Sequence, residues 1–93
     1  MEKDYFASIV QTLPKEFTSH VFINAYIREF EAEYIKELVP KKGGFRELNS
    51  KIARFLSMNQ KELQIQKGDN KVIDENILGN LSENASWTRI DIE

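Results

Sequence analysis

The chain has 93 residues, of which 41% are hydrophobic and 30% are charged, and its formal net charge at pH 7 is −2. It contains no cysteine, which excludes disulfides, thiolate metal sites and thiol nucleophiles. There is no signal-peptide pattern, and no apolar run approaches the roughly 20 residues of a membrane span. We therefore expect one domain over residues 1–93, in the cytoplasm and without membrane attachment.

Charge is distributed unevenly along the chain. Residues 41–71 carry eight basic and three acidic side chains, whereas residues 1–40 and 72–93 are acidic overall. A basic block between acidic flanks favours an anionic partner. The alternative, that surface charge simply varies along the chain, stays open at this point.

Two helices are predicted in the first part of the chain. The first covers residues 2–13, where apolar side chains recur at helical spacing until a proline follows. The second covers residues 19–39, with Thr18 as its N-cap and with Phe17 and Phe22 spaced as a hydrophobic staple. Because this helix is long and broadly apolar, we expect it to form the centre of the core.

One edge of the second helix carries Glu29, Glu33 and Glu37 at successive turns. Carboxylates that bind a metal usually converge from several elements, so we interpret this row as a solvated surface. His20 is the only histidine, and its neighbour Ser19 points about 100° away on a helix. We therefore expect His20 to be a surface or half-buried structural residue rather than a catalytic base.

The later elements follow from changes in the apolar period. A third helix is predicted over residues 45–58, after the turn Gly43-Gly44. Strands are predicted over 62–67, 71–74 and 87–92. The first two strands would be joined by a turn over residues 67–71, whereas residues 74–86 carry both helix and loop signals. Trp87 is expected to cover the edge of the core.

This element order, three helices followed by a small antiparallel β-hairpin or a three-stranded sheet, resembles the winged-helix domain. The resemblance covers about residues 18–73 and depends on element order rather than on a motif. It implies an α+β fold in which the third helix enters the major groove of DNA and the hairpin contacts the backbone.

The resemblance gives the basic block a position against nucleic acid. Arg46, Ser50 and Arg54 share one edge of the third helix, where arginine can bind guanine and serine can bind a base or a phosphate. The residues expected to contact nucleic acid are Lys41, Lys42, Arg46, Ser50, Lys51, Arg54, Lys67 and Lys71. The free amides at the start of this helix would also favour an anion.

No phosphate-binding loop, dinucleotide fingerprint or metalloprotease motif occurs in the sequence. We therefore expect a protein that is not an enzyme, holds no cofactor or metal, and binds double-stranded DNA as a regulator or accessory module. The alternative is a protein-interaction domain that binds no nucleic acid and docks on another chain through its acidic ends or through the apolar edge strand Thr88–Ile92. The first interpretation requires the basic side chains to share one face, with the glutamate row on another.

Overall fold

The structure, a computed structural model, describes residues 1–90. The helices are α1 (Lys3–Thr12), α2 (Ser19–Glu29), α3 (Glu31–Leu38), α4 (Gly44–Met58) and α5 (Gln60–Leu63). The strands are β1 (Glu16–Thr18), β2 (Ile65–Lys67), β3 (Val72–Glu75), β4 (Leu81–Asn84) and β5 (Ser86–Arg89). The predicted α+β class is confirmed.

The strands form two antiparallel sheets. One has the order β1-β5-β2, and the other is the hairpin β3–β4. Thr88 on β5 lies opposite Glu16 on one side and Gln66 on the other, so β5 is a central strand. The prediction of a free edge over Thr88–Ile92 is therefore wrong for the described part of that segment, and its last two residues lie outside the described residues.

The predicted hairpin between residues 62–67 and 71–74 is also wrong, since β2 pairs with β5 and β3 pairs with β4. Gly68 explains the difference. Its backbone N–H donates to the Ser86 carbonyl at 2.8 Å, and a Cβ built at this glycine would lie 2.2 Å from Ser86 Oγ. The chain therefore continues alongside β5 after β2, at an approach where a larger residue would require the Ser86 hydroxyl to turn away.

One boundary and two strands also differ from the sequence prediction. Residues 62 and 63 belong to α5, which ends where Gln64 adopts a left-handed conformation with φ of 56°, so the strand begins only at Ile65. The segment 74–86, which carried mixed signals, contains β4. The short strand β1 was predicted only as a connection between helices.

The predicted long helix breaks at Phe30, which has φ of −129° and ψ of 47° and separates α2 from α3. The sequence has no proline or glycine at this point, which are the usual causes of a sharp kink. The Phe30 ring stacks on Tyr5 of α1 with a centroid separation of 4.5 Å, and it lies 5.7 Å from the Tyr26 ring. We attribute the break to this packing. The helical spacing of apolar residues does not reveal contacts between different helices, so the sequence did not predict the break.

The start of α2 follows the sequence prediction. Thr18 Oγ1 accepts a hydrogen bond from the Val21 N–H at 3.2 Å, so the predicted N-cap is confirmed. The Phe17 and Phe22 rings lie 6.3 Å apart, as the predicted staple requires. These contacts fix the angle at which the chain passes from β1 into α2.

The buried side chains form one apolar cluster between the helices and the larger sheet. Its largest fully buried members are Trp87, Tyr26, Phe6, Phe22, Ile9, Leu48, Ile52, Leu56, Ile65 and Val10. Trp87 is 1% exposed and lies within the core, which corrects the prediction that it covers an edge. Its indole Nε1–H donates to Ser19 Oγ at 2.9 Å, and Ser19 is itself 3% exposed.

This buried hydrogen bond generates a stability prediction. Replacing Ser19→Ala removes the acceptor and leaves the indole N–H of Trp87 unpaired in the core, so we expect the free energy of unfolding to fall by about 1–3 kcal/mol. Urea unfolding followed by the fluorescence of the single tryptophan measures this. Ser8→Ala, at an exposed position of α1, should change stability by less than about 0.5 kcal/mol. Equal effects of the two substitutions would contradict the assignment.

Candidate nucleic-acid interface

Helix α4 separates an apolar face from a polar one. Leu48, Ile52 and Leu56 are fully buried in the core, so the opposite face of the helix is turned outward. The hairpin β3–β4 lies beside this outward face. A groove of about 710 Å³ separates the two elements, and we call it the α4 groove.

The residues that line the α4 groove come from α4, from the hairpin and from other segments of the chain. The helix wall comprises Phe45, Arg46, Asn49, Ser50, Ala53, Arg54 and Ser57. The hairpin side comprises Asn76, Ile77, Leu78, Asn80, Ser82, Glu83, Asn84 and Ala85. The rest of the lining is Ser19, His20, Ile23, Lys67, Lys71 and Trp87. The volume is in the range of ligand-binding clefts, and the lining mixes apolar, polar and cationic groups.

Five of the eight residues predicted to contact nucleic acid meet at this groove. Arg46, Ser50 and Arg54 come from α4, whereas Lys67 and Lys71 come from the end of β2 and the segment before β3. Folding therefore brings together charges from two separate stretches of the basic block. A single carboxylate, that of Glu83, stands among the residues that line the groove.

The other three predicted residues do not line the α4 groove. Lys42 is exposed, and Lys51 Nζ lies 4.0 Å from Glu47 Oε1. Lys41 lies beside Lys51, and hydrogen bonding to that ammonium, followed by charge repulsion, lowers the pKa of Lys41. These three predictions are therefore not supported by a position at the α4 groove.

The start of α4 is partly occupied by the chain itself. The Gly43 N–H donates to Glu47 Oε2 at 3.2 Å, so a carboxylate from the first turn already lies at the helix terminus where an anion was expected. Gly44 adopts φ of +64°, which explains the glycine at the turn into α4.

The glutamate row does not face the α4 groove. Glu33 and Glu37 line a second cleft, here called the α3 cleft, together with Glu2, Lys36, Lys41 and Met1, whose ammonium lies 3.2 Å from Glu37 Oε1. This cleft shares no residue with the α4 groove. Burial and the carboxylates of Glu37 and Glu33 raise the pKa of Tyr26 far above its usual value. Glu29 lies outside both clefts and is 3.5 Å from the Arg28 guanidinium. The separation of the acidic row from the groove cations is the arrangement that the nucleic-acid interpretation requires.

A polar cluster that sequence reasoning did not identify attaches the hairpin to the start of α2. Asp74 accepts hydrogen bonds from Thr18 Oγ1 at 2.6 Å, from Asn84 Nδ2 at 2.6 Å and from His20 Nδ1 at 2.6 Å. Asn84 Oδ1 also accepts from the His20 backbone N–H at 2.8 Å. The residues are separated by 54 or more positions between α2 and the hairpin, so no local pattern could have revealed the cluster.

His20 also lies near a hydroxyl, since its Nε2 is 3.4 Å from Ser82 Oγ. The order carboxylate, imidazole, hydroxyl is that of acyl-transfer triads. The separation is longer than the roughly 2.6–3.2 Å over which a base activates a hydroxyl, and Ser82 lies within a regular strand opposite Asp74. We interpret these contacts as structural, and the expectation that the protein is not an enzyme stays a prediction.

The part of the chain that the structure describes shows no group of three or more metal-binding side chains placed to hold an ion. Across residues 1–90, no helix has both the length and the apolar character needed to cross a membrane.

The cluster around Asp74 predicts a pH dependence. Partial burial favours the neutral acid, but the hydrogen bonds from Thr18, Asn84 and His20 prevail and lower the pKa of Asp74. The resulting stabilisation is fully present above the unfolded-state pKa of about 4 and is lost as the pH falls through the lower folded-state value. We expect the protection factors of β3 and β4 amides in hydrogen exchange, which are corrected for the intrinsic rate at each pH, to fall below about pH 4 before those of the core amides.

The variant Asp74→Asn tests the same contacts at neutral pH. It should accelerate exchange in the hairpin and lower the free energy of unfolding by about 1–3 kcal/mol, because hydrogen bonds to a charged acceptor are lost. Asp69→Asn removes the same charge at an exposed position and serves as the control. Unchanged hairpin exchange in Asp74→Asn would show that the cluster does not hold the hairpin.

No protein-family model, curated protein or solved structure matches this chain. The resemblance to winged-helix domains therefore has no support from a relative, and function has to be argued from the geometry and charge of the α4 groove.

Proposed function

We propose that the protein binds double-stranded DNA through the α4 groove and acts as a regulator or accessory module. One observation carries the proposal: residues nominated from the sequence on two separate elements, α4 and the segment 67–71, converge on one groove. A chance distribution of surface charge would not favour convergence from both elements.

The electrostatics of the groove support this partner. Arg46, Arg54, Lys67 and Lys71 face a cavity with Glu83 as the one lining carboxylate, although the chain as a whole carries a net charge of −2. A cleft lined mostly by one sign of charge concentrates the potential and attracts the opposite charge. Duplex DNA supplies a regular array of phosphates for such a surface.

The two elements that line the α4 groove suit contacts to the two sides of one sugar-phosphate strand of DNA. The major groove of DNA, about 12 Å wide, admits a single helix such as α4. The DNA strand that borders this major groove would lie in the α4 groove, with α4 on one side of it and the hairpin on the other. In this arrangement the groove cations contact phosphates and set the register, and the exposed α4 side chain Ser50 is positioned towards bases.

Titration of a labelled duplex at two salt concentrations tests the proposal. With four cationic contacts to phosphates, the affinity should fall by roughly a hundredfold when the salt concentration rises from about 50 to 200 mM. Arg54→Glu should weaken binding at low salt by at least about tenfold and reduce the salt dependence of log K by about 1 or more. Fluorescence anisotropy gives both quantities.

The matched control is Lys3→Glu, which makes the same change of charge at an exposed position of α1. Its affinity and its salt dependence should stay close to those of the wild type. Undetectable binding at low salt, or equal losses for both substitutions, would contradict DNA binding through the α4 groove.

A second candidate function is protein interaction, and a specific observation favours it. Ile73 and Leu81 are 66% and 71% exposed and are diagonal neighbours on one face of the hairpin. Exposed apolar pairs of this kind occur where another chain docks. A second copy of this chain is the simplest occupant, because two such faces can bury the same residues against each other.

Sedimentation analysis tests this second candidate. It predicts that the wild type self-associates and that the double variant Ile73→Asp, Leu81→Asp is monomeric with an unchanged fold. A wild type that stays monomeric at high concentration would exclude a second copy as the occupant of this face.

A further inference from the structure

The tip of the hairpin presents one leucine to solvent in a closely organised turn. Leu78 is 56% exposed, and its backbone N–H donates to Asn76 Oδ1 at 2.9 Å. The same oxygen accepts from the Asn80 N–H at 3.1 Å, and the Gly79 N–H donates to the Asn76 carbonyl at 3.0 Å. One side-chain oxygen and the backbone of Asn76 thus hold the whole turn.

Glycine is required at this turn for a conformational reason. Gly79 has φ of +79°, a value that other residues rarely adopt, and a Cβ there would meet no neighbouring atom. The requirement is therefore one of backbone geometry rather than of space. A turn built in this way holds the preceding residue, Leu78, in a fixed direction before any partner binds.

The two apolar residues at the tip have different surroundings. Ile77 is half-buried and packs against the core, so it accounts for the attachment of the tip. Leu78 is absent from the apolar cluster yet lines the α4 groove together with Arg46, Arg54, Lys67 and Lys71. An apolar side chain with no role in the core thus lines the same groove as four cations.

We propose that Leu78 is a wedge that enters the minor groove of duplex DNA and partly unstacks one base step, while the α4 groove holds the adjoining strand. Proteins that bend DNA through the minor groove insert an apolar side chain between base pairs and kink the duplex by roughly 20–90°. This inference rests on the proposed function and adds the mode of contact and a consequence for DNA shape.

Charge and sequence-dependent stiffness make the proposal specific. Cations beside the leucine can neutralise phosphates that a kink brings closer together, which an apolar peptide or a second copy of this chain would not require. Pyrimidine–purine steps such as TA unstack most easily, so binding should favour a duplex with such a step at the position that Leu78 reaches.

The experiment measures DNA bending by fluorescence energy transfer between dyes on the two ends of a duplex of about 25 base pairs with a central TA step. The wild type should shorten the end-to-end distance and increase the fluorescence of 2-aminopurine placed at that step. Leu78→Ala should bind with salt dependence like that of the wild type, but more weakly and without either signal. Leu78→Met should restore both signals in large part.

The matched control is Leu81→Ala, which removes a side chain of the same size and of greater exposure from the same hairpin but lies outside the groove lining. It should bend DNA as the wild type does. Because Leu78 and Leu81 are both exposed, neither variant should change the unfolding midpoint, and unfolding curves check this.

The outcomes separate this inference from the function on which it rests. Salt-dependent binding by the wild type without bending, or bending that survives Leu78→Ala, would overturn the wedge and leave DNA binding in place. No binding at low salt would remove both. Bending that is lost in Leu78→Ala and kept in Leu81→Ala would establish the wedge.

Discussion

The carboxylate of Asp74 joins the two parts of the molecule on which the groove depends. It accepts hydrogen bonds from Thr18 and His20 at the start of α2 and from Asn84 on the neighbouring strand. A two-stranded hairpin by itself is marginally stable in water. Its position opposite α4 therefore depends on this cluster, and within the described residues every buried side-chain polar atom has a partner. The polar contacts at Asp74, together with the packing of Ile77 against the core, hold this wall of the groove.

The fold separates the groove cations from the glutamate row. The α4 groove is lined by Arg46, Arg54, Lys67 and Lys71, while Glu33 and Glu37 line the α3 cleft beside Lys36 and Lys41. The separation follows from the helices. Each helix buries one stripe in the shared core, so the residues on its outward side line the cleft that borders it. A net charge near zero thus conceals one groove whose charged lining is mostly cationic and one cleft of mixed charge.

Local sequence signals predicted the parts of the structure that local interactions determine. The cap at Thr18, the staple from Phe17 to Phe22 and the buried stripe of α4 depend on residues a few positions apart. Strand pairing depends on distant residues, so the sequence pattern placed Lys67 and Lys71 in one hairpin, although Lys67 ends a strand of the larger sheet and Lys71 precedes the other sheet. The five groove residues could be nominated because they are charged or polar on an exposed helix face or loop. The cluster at Asp74 could not, because its members meet only when the hairpin reaches α2.

The hydrogen bond between Gly68 and Ser86 has a consequence for how the molecule could change over evolution. The chain leaves the larger sheet at one of these residues and returns to it at the other, so everything between them is a closed excursion. Lengthening or exchanging that excursion leaves the ends at the same separation and the three-stranded sheet undisturbed. The seventeen residues between them could therefore vary in length and sequence while the strand pairing of the larger sheet is kept.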